Sequence, residues 1–477
     1  MMASLVLRNV QRHLPRLRPM IAALAAAIAL LFLGNSISEA INRGYKEVYT
    51  EYITGHLTLS PVSERTFTVF GSEALLMGEL LIPPVLVSHE ELTRILHAMP
   101  GVEGTASLVT VAARVQIEGQ AQNQPVFGVD FAQYAALFPR LRLLRGSLPD
   151  PGQPGILIHE SRFPDREPEI GSPVLLSVYN NYSFTIREVP LAGIFSYPIA
   201  DPVLDRVALI DANTARALNG YVYGVANQEN QVEPAGGDLD DLFAEADILA
   251  PATGSLDPLE IQNRLRAEDP AGALALKTRE GAWNFILVRL AEGARSGGAG
   301  RIESGLRNAG FPGMAEIKIR DWRHSAGGNA VLVWIVQILL NIGLIFIAVG
   351  ASVVTVNALA LSVLERTREI GTMRAIGASR GRVGLMISSE TMVLVVGTGI
   401  LGIAAGTGLV LLVNLLRIGL SNPVLQALFG STRLTGCLSA MLIADHLLLS
   451  LALGLVSLVY PLRKSLRIVP VKAMAAV

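Results

Sequence analysis

A single cysteine, Cys437, occurs in 477 residues, so no disulfide can form within the chain. A large exported segment without cysteines fits a bacterial periplasm or outer face. Charge is scarce as well: 17% of residues are charged against 51% hydrophobic. That excludes an ordinary soluble protein, while a mean hydropathy of +0.44 is too low for a bundle made only of spanning helices. No Gly-x-x-x-x-Gly-Lys-Ser/Thr loop occurs, so these residues should not bind and hydrolyse ATP by themselves. The absence of His-Glu-x-x-His and of cysteine pairs removes the usual zinc sites, and no nucleophile elbow is present. Nothing basic and aromatic points to nucleic acid. The seven histidines are scattered, and His56, His97 and His159 read as structural. The cluster Asp238, Asp240 and Asp241 lacks the glycine and glutamate offsets of a calcium loop and reads as a solvated acidic loop. No catalytic residue, metal or cofactor is therefore expected in this chain.

What is present is four apolar stretches, about Met20–Ile37, Ala330–Leu364, Leu385–Leu416 and Cys437–Tyr460, each supplying the roughly 20 residues a bilayer needs. The second has no proline; at 1.5 Å per residue it reaches on the order of 50 Å, longer than the hydrocarbon layer. Part of it should stand out of the membrane as a stalk.

Basic residues set the orientation. Arg8, Arg12, Arg16 and Arg18 precede the first run, Arg366, Arg368, Arg374, Arg380 and Arg382 lie between the second and third, and Arg463, Lys464, Arg467 and Lys472 follow the fourth. Against these 13 basic residues stand only Glu365 and Glu369, whereas Asn42–Gly328 holds 24 basic and 35 acidic residues. Both termini and the 365–382 link should be cytoplasmic and the long segment outside, giving a multi-pass protein of a bacterial inner membrane. Residues 1–18 read as an amphipathic helix along the cytoplasmic surface.

The link is too well patterned for a passive loop. Ile370, Met373 and Ile376 recur at three-residue spacing as one apolar stripe, with Glu365, Arg366, Arg368, Glu369 and Arg374 around them and Gly377 at the end. A short amphipathic helix on a membrane face is a docking element. Within the spans, Glu390 is an ionisable residue read as structural or coupling. Gly402 and Gly406 make a Gly-x-x-x-Gly that Ala404 and Gly408 continue as a small-residue packing face. Asp445 and His446 read as a pair snorkelling near the outer end of the fourth span.

The exported segment has α/β texture. Strands are expected at His56–Leu59, Thr66–Phe70, Ala112–Glu118, Gly155–His159, Pro173–Val178 and Val207–Ile210. Helices are expected at Ser88–Met99, Pro258–Ala267 and Arg301–Ala309, with Ser88 and Glu91 as a capping box.

The 365–379 stretch resembles the cytoplasmic link of FtsX-like permeases, the membrane subunits of ABC transporters of the macrolide-exporter and lipoprotein-release type. Weaker similarities run along the chain: Leu7-Arg8-Asn9-Val10, Pro100-Gly101-Val102, Gly128-Val129-Asp130, Arg145-Gly146, Gly155-Ile156-Leu157-Ile158, Gly193-Ile194-Phe195, Asp321-Trp322 and Pro470-Val471-Lys472-Ala473-Met474. The resemblance implies four transmembrane helices with a large extracytoplasmic α/β (α+β) domain of two subdomains inserted between helices 1 and 2. Residues 19–41 would be the first span and stalk. The ectodomain, 42–328, would have a membrane-near half (about 42–127 and 272–328) and an outer half (about 128–271). The permease domain, 329–477, would hold spans 330–364, 385–416 and 437–460, the coupling helix 365–382 and a cytoplasmic tail. It also implies a dimer with a second permease copy or sister subunit, and a separate cytoplasmic ATPase dimer that binds ATP and magnesium. The cargo would be a lipoprotein, lipid or other amphiphile, met by a periplasmic carrier or by the lipoprotein itself. The alternative is an FtsX-like regulator that activates a periplasmic cell-wall hydrolase. Residues 220–271 form a longer insertion than the lipoprotein-release members carry.

Overall fold

The computed structural model describes residues 2–72, 83–163, 168–180, 183–221 and 281–466. The 238–241 acidic cluster, the expected helix 258–267, most of the 220–271 insertion and the 470–474 tail lie outside them. In chain order the elements are α1 (Met2–Tyr52), β1 (Leu57–Pro61), β2 (Phe67–Thr68), β3 (Gly71–Ser72), α2 (His89–Ala98), β4 (Val102–Ile117), β5 (Gln120–Val129), α3 (Phe131–Leu137), β6 (Arg142–Gly146), β7 (Ile156–His159), β8 (Pro173–Asn180), β9 (Ser183–Ser196), β10 (Ala208–Asp211) and α4 (Ala212–Leu218). There follow β11 (Phe285–Leu290), α5 (Gly298–Asn308), β12 (Ile317–Asp321), α6 (Gly328–Glu365), α7 (Thr367–Ala375), α8 (Arg380–Leu416), α9 (Pro423–Phe429) and α10 (Ala440–Leu466). They form two compact units, one of residues 1–48, 199–201 and 331–477, the other of 49–198 and 202–330.

The second unit is built on one ten-stranded sheet. Four strands run in the order β12-β1-β11-β4, all neighbours antiparallel. With α2 following β1 and α5 following β11, this is the split β-α-β arrangement of ferredoxin-like folds. Leu57, Leu59, Ile286, Val288 and Leu290 of the sheet meet Leu92 and Leu96 of α2 and Ile302 and Leu306 of α5 in one core. The expected capping box at Ser88 does not form. Ser88 is left-handed at φ 51 and its side chain makes no cap bond, while Glu91 turns to Arg94 at 3.7 Å.

Further pairings run β4-β5-β10-β7-β9-β8 and return to β4, closing a six-stranded ring, and β6 joins the sheet antiparallel to β9. Closure removes free strand edges within the ring. Alternate residues of β4, namely Val109, Val111, Ala113, Val115 and Ile117, point into its core with Ile156, Ile158, Val174, Leu176, Val178, Leu191 and Ile210. The period-two pattern that marked the end of β4 in the sequence is this inward face. The last turn of α1 also belongs to this unit. There Arg289 bonds Glu51 at 2.8 Å and the Leu137 carbonyl at 2.8 Å, and the Tyr49 ring lies 6.3 Å from Trp322.

Among the described residues four helices have a stretch able to cross a membrane, Arg18–Tyr52, Trp334–Glu365, Arg380–Leu416 and Ala440–Val459, and all but the last turn of the first lie in the first unit. From Met20 onward no proline interrupts α1, which explains why it runs on as one helix past the expected end of the span. Leu24, Ile28 and Phe32 of α1 pack with Ala351 of α6, Val395, Ile403 and Val410 of α8, and Leu442 of α10.

Candidate functional site

The turn from α6 into α8 is where the sequence concentrates charge between apolar runs. Arg366 leaves helical geometry at φ −97, ψ 12, and Gly377 adopts φ +102, a left-handed value that suits a residue without a Cβ. These two breaks bracket α7. Ser379 then caps α8, its hydroxyl accepting from the Arg382 N–H at 3.4 Å.

The expected single apolar stripe is divided in the structure. Ile370 is 2% exposed and packs against Val363, Val383 and Ile387, with Met373 and Ala378 beside it. Ile376 is 88% exposed. The reason is helical geometry: at about 100° per residue a three-residue step falls short of a full turn by about 60°, so Ile376 stands about 120° around from Ile370. One isoleucine seats α7 on its own chain and the other is presented outward.

Arg366 ties this turn to α8. Its Nη1 lies 2.8 Å from Glu390 Oε2 and its Nε 3.2 Å from Glu369 Oε2. The Arg366 and Glu390 side chains are only 12% and 8% exposed. Burial pulls the Arg366 guanidinium down, but the hydrogen bond and charge of Glu390, then those of Glu369, outweigh it and hold it above its ordinary value. Glu365, Arg368 and Glu369 are exposed, Arg374 is half-buried, and the exposed Ile376 closes this charged stretch.

The glycines of α8 act where helices cross. A Cβ on Gly402 would come within 2.7 Å of Ile28, and one on Gly406 within 2.8 Å of Phe32, both on α1. Gly399, which the spacing argument passed over, approaches Ser450 of α10. Ala404 and Gly408, expected to extend this face, are exposed instead, because a step of two residues turns a helix by about 200°.

The pair expected to snorkel is divided in the structure. Asp445 is exposed, but His446 is 1% exposed. Its Nδ1 donates to the Leu442 carbonyl at 2.8 Å, which leaves Nε2 to accept from the Asn35 amide at 3.3 Å, and its ring meets Phe32 edge-on at 4.9 Å. Asn35 and His446 are each a polar residue inside a separate apolar run, and spacing alone does not join them.

Outside the spans the three histidines hold structural bonds. The Leu290 N–H donates to His56 Nδ1 at 3.2 Å, His97 meets Thr105 at 2.7 Å, and His159 Nδ1 accepts from the Ser161 N–H at 3.3 Å. Among the described residues no cluster of histidine, cysteine and carboxylates could hold a metal ion.

Residues 341–470, which contain α7 and Glu390, match the family of FtsX-like permease C-terminal domains. The macrolide export ATP-binding/permease protein MacB of Bdellovibrio bacteriovorus is 34% identical over 138 residues, 29% of this chain and 19% of that protein. The MacB protein of Chlorobaculum tepidum is 32% identical over 118 residues, 25% of this chain and 16% of that one. The uncharacterized ABC transporter permease YknZ of Bacillus subtilis is 28% identical over 146 residues, 31% of this chain and 32% of that one. The matches thus span less than a fifth of the length of either MacB relative. The periplasmic region of MacB from Actinobacillus actinomycetemcomitans overlays 56% of this chain and 88% of that one at 10% identity and a TM-score of 0.29, too low to carry weight.

Proposed function

From the membership of residues 341–470 in the FtsX-like permease family, we propose that this chain is the membrane subunit of an ABC transporter driven by an ATPase in another polypeptide. The observation that carries the reading is the exposed Ile376, in a link that also carries Arg368, Arg374, Arg380 and Arg382, on a turn that Arg366 and Ile370 fasten to the chain's own helices. An exposed apolar side chain in a link where arginines outnumber carboxylates suits a groove with acidic edges on a cytoplasmic partner. Because the basic residues cluster at this end, both termini and α7 face the cytoplasm, and the acidic second unit faces outward in a bacterial inner membrane. Nucleotide-driven closure of an ATPase pair then displaces α7, and with it α6 and α8, of two permease copies. The outward segment responds by releasing or moving a lipoprotein, lipid or other amphiphile. Packed helices switch between discrete arrangements, which lets a small displacement travel.

The test is co-purification of the full chain with its nucleotide-binding subunit from native membranes. Ile376→Asp is expected to abolish association while the chain melts as before. An undiminished ATPase catch with Ile376→Asp would overturn the docking assignment.

A further inference from the structure

A groove of about 560 Å³ runs between α1 and α8, lined by Arg18, Ala22 and Ala25 on one side and by Val393, Gly397 and Leu401 on the other. Missing side chains create it: Gly397 is exposed, and a Cβ built on it meets nothing within 4 Å. Its walls are apolar, and the Thr398 hydroxyl that borders it is spent on the Leu394 carbonyl at 2.7 Å. Arg18, an exposed cation, stands at one end, where the apolar stretch of α1 begins. The buried carboxylate at this level of α8, Glu390, is already held by Arg366. The groove is short: from Arg18 to Ala25 the helix rises about 10 Å, a third of a bilayer's hydrocarbon thickness.

We propose that this groove is a binding site for one acyl chain of an anionic phospholipid, with Arg18 holding the headgroup phosphate. The polarity of the groove matches that of the molecule, a cation where the membrane surface lies and a dry channel leading inward from it. Basic pockets between spanning helices on the cytoplasmic side recognise anionic headgroups in this way. A helix from a second copy would need a matching apolar face along the whole span, whereas this groove covers about a third of it. The inference rests on α1 and α8 crossing a bilayer and does not depend on which ATPase or cargo the protein serves.

The experiment uses the full chain reconstituted in phosphatidylcholine bilayers with and without phosphatidylglycerol, and counts retained lipids by native mass spectrometry after gentle delipidation. The wild-type chain is expected to retain one phosphatidylglycerol per copy. Gly397→Leu, which extends into the open groove without striking a neighbour, is expected to retain none while melting like the wild type. Arg18→Gln is expected to keep the chain-binding channel but to lose preference for phosphatidylglycerol over phosphatidylcholine by about fivefold, the ratio given by about 1 kcal/mol per arginine near an anionic surface. Equal retention by Gly397→Leu and wild type overturns the site. Unchanged preference in Arg18→Gln overturns the role of the arginine. If Gly397→Leu instead converts a dimer to monomers with lipid counts unaltered, a second copy fills the groove and the proposal is wrong.

Discussion

Removing Arg366 should damage the protein more than removing Glu390, although the two form one ion pair. Their contact is 2.8 Å and their side chains are 12% and 8% exposed, so each shields the other from a low-dielectric surrounding. Arg366 has a second partner, Glu369, at 3.2 Å, and that carboxylate is 54% exposed. Glu390→Gln therefore leaves the guanidinium paired, and the loss should be that of one charge-assisted hydrogen bond, about 1.5–3 kcal/mol. Arg366→Met strands a buried carboxylate, a loss of about 3–5 kcal/mol. Replacing both residues by methionine removes the stranded charge and should recover most of the difference. For a helical unit of this size 1 kcal/mol shifts a melting midpoint by about 2–4 °C. Glu390→Gln should thus melt about 5 °C below the wild type, Arg366→Met about 10 °C below, and the double variant close to Glu390→Gln. The assay is a melting series in one detergent, read by tryptophan fluorescence and by loss of monodisperse protein. Equal midpoints for the two single variants, or a double variant no better than Arg366→Met, would refute the reasoning. If the chain works as proposed with a separate ATPase, ATP turnover of that reconstituted complex adds a second readout: Glu390→Gln is expected to lower coupling while the chain stays folded.

Acid should weaken the second unit through buried histidines. Burial, only partly opposed by the Glu160 charge, pushes His159 down to about 4, and burial followed by the Arg216 charge does the same to His89. Because an unfolded histidine titrates near 6.5, the stabilisation is complete above that pH and is lost as pH falls from there toward 4, by about 3 kcal/mol for His159. Thermal melts of the full chain across this range should show His159→Gln with a flatter pH dependence than the wild type; parallel curves would contradict the assignment. Gly402→Leu should lower the melting midpoint and the yield of folded protein sharply, since its first carbon already collides with Ile28 and with the Ala25 carbonyl. Gly408→Leu on the open side of the same helix should match the wild type in both measurements. Ile370→Ala should cost about 2–4 kcal/mol by opening a cavity under α7, seen as a lower melting midpoint, whereas Ile376→Ala should leave stability unchanged within measurement.

The spans were legible because long apolar runs are read by length alone, and α6, α8 and α10 fall close to their expected bounds. The turn between α6 and α8 was legible from charge enclosed by apolar runs. The division of labour between Ile370 and Ile376 was not, because three-residue spacing looks like a stripe until it is wound at 3.6 residues per turn. In the second unit, short continuous apolar strands such as β7 and β10 could be read, whereas β5, which opens Gln120-Ala121-Gln122-Asn123-Gln124, is a strand only because β4 pairs with its whole length. Here tertiary pairing overrides local preference. The partnership of Asn35 with His446 joins residues 411 positions apart and could not be derived from spacing.

Strand β4 is 16 residues long, and both cores of the second unit draw on it. Its first half completes the helix-backed sheet through β11, and its second half is a stave of the ring through β5 and β8. No linker intervenes where one assembly ends and the other begins, for Leu108 is paired with both neighbours at once. A push delivered to the helix-backed end cannot be absorbed by a loop at this seam. It must twist a continuous ribbon, so a peptide grafted onto the ring would report, as a lever arm does, on strain applied at the other end.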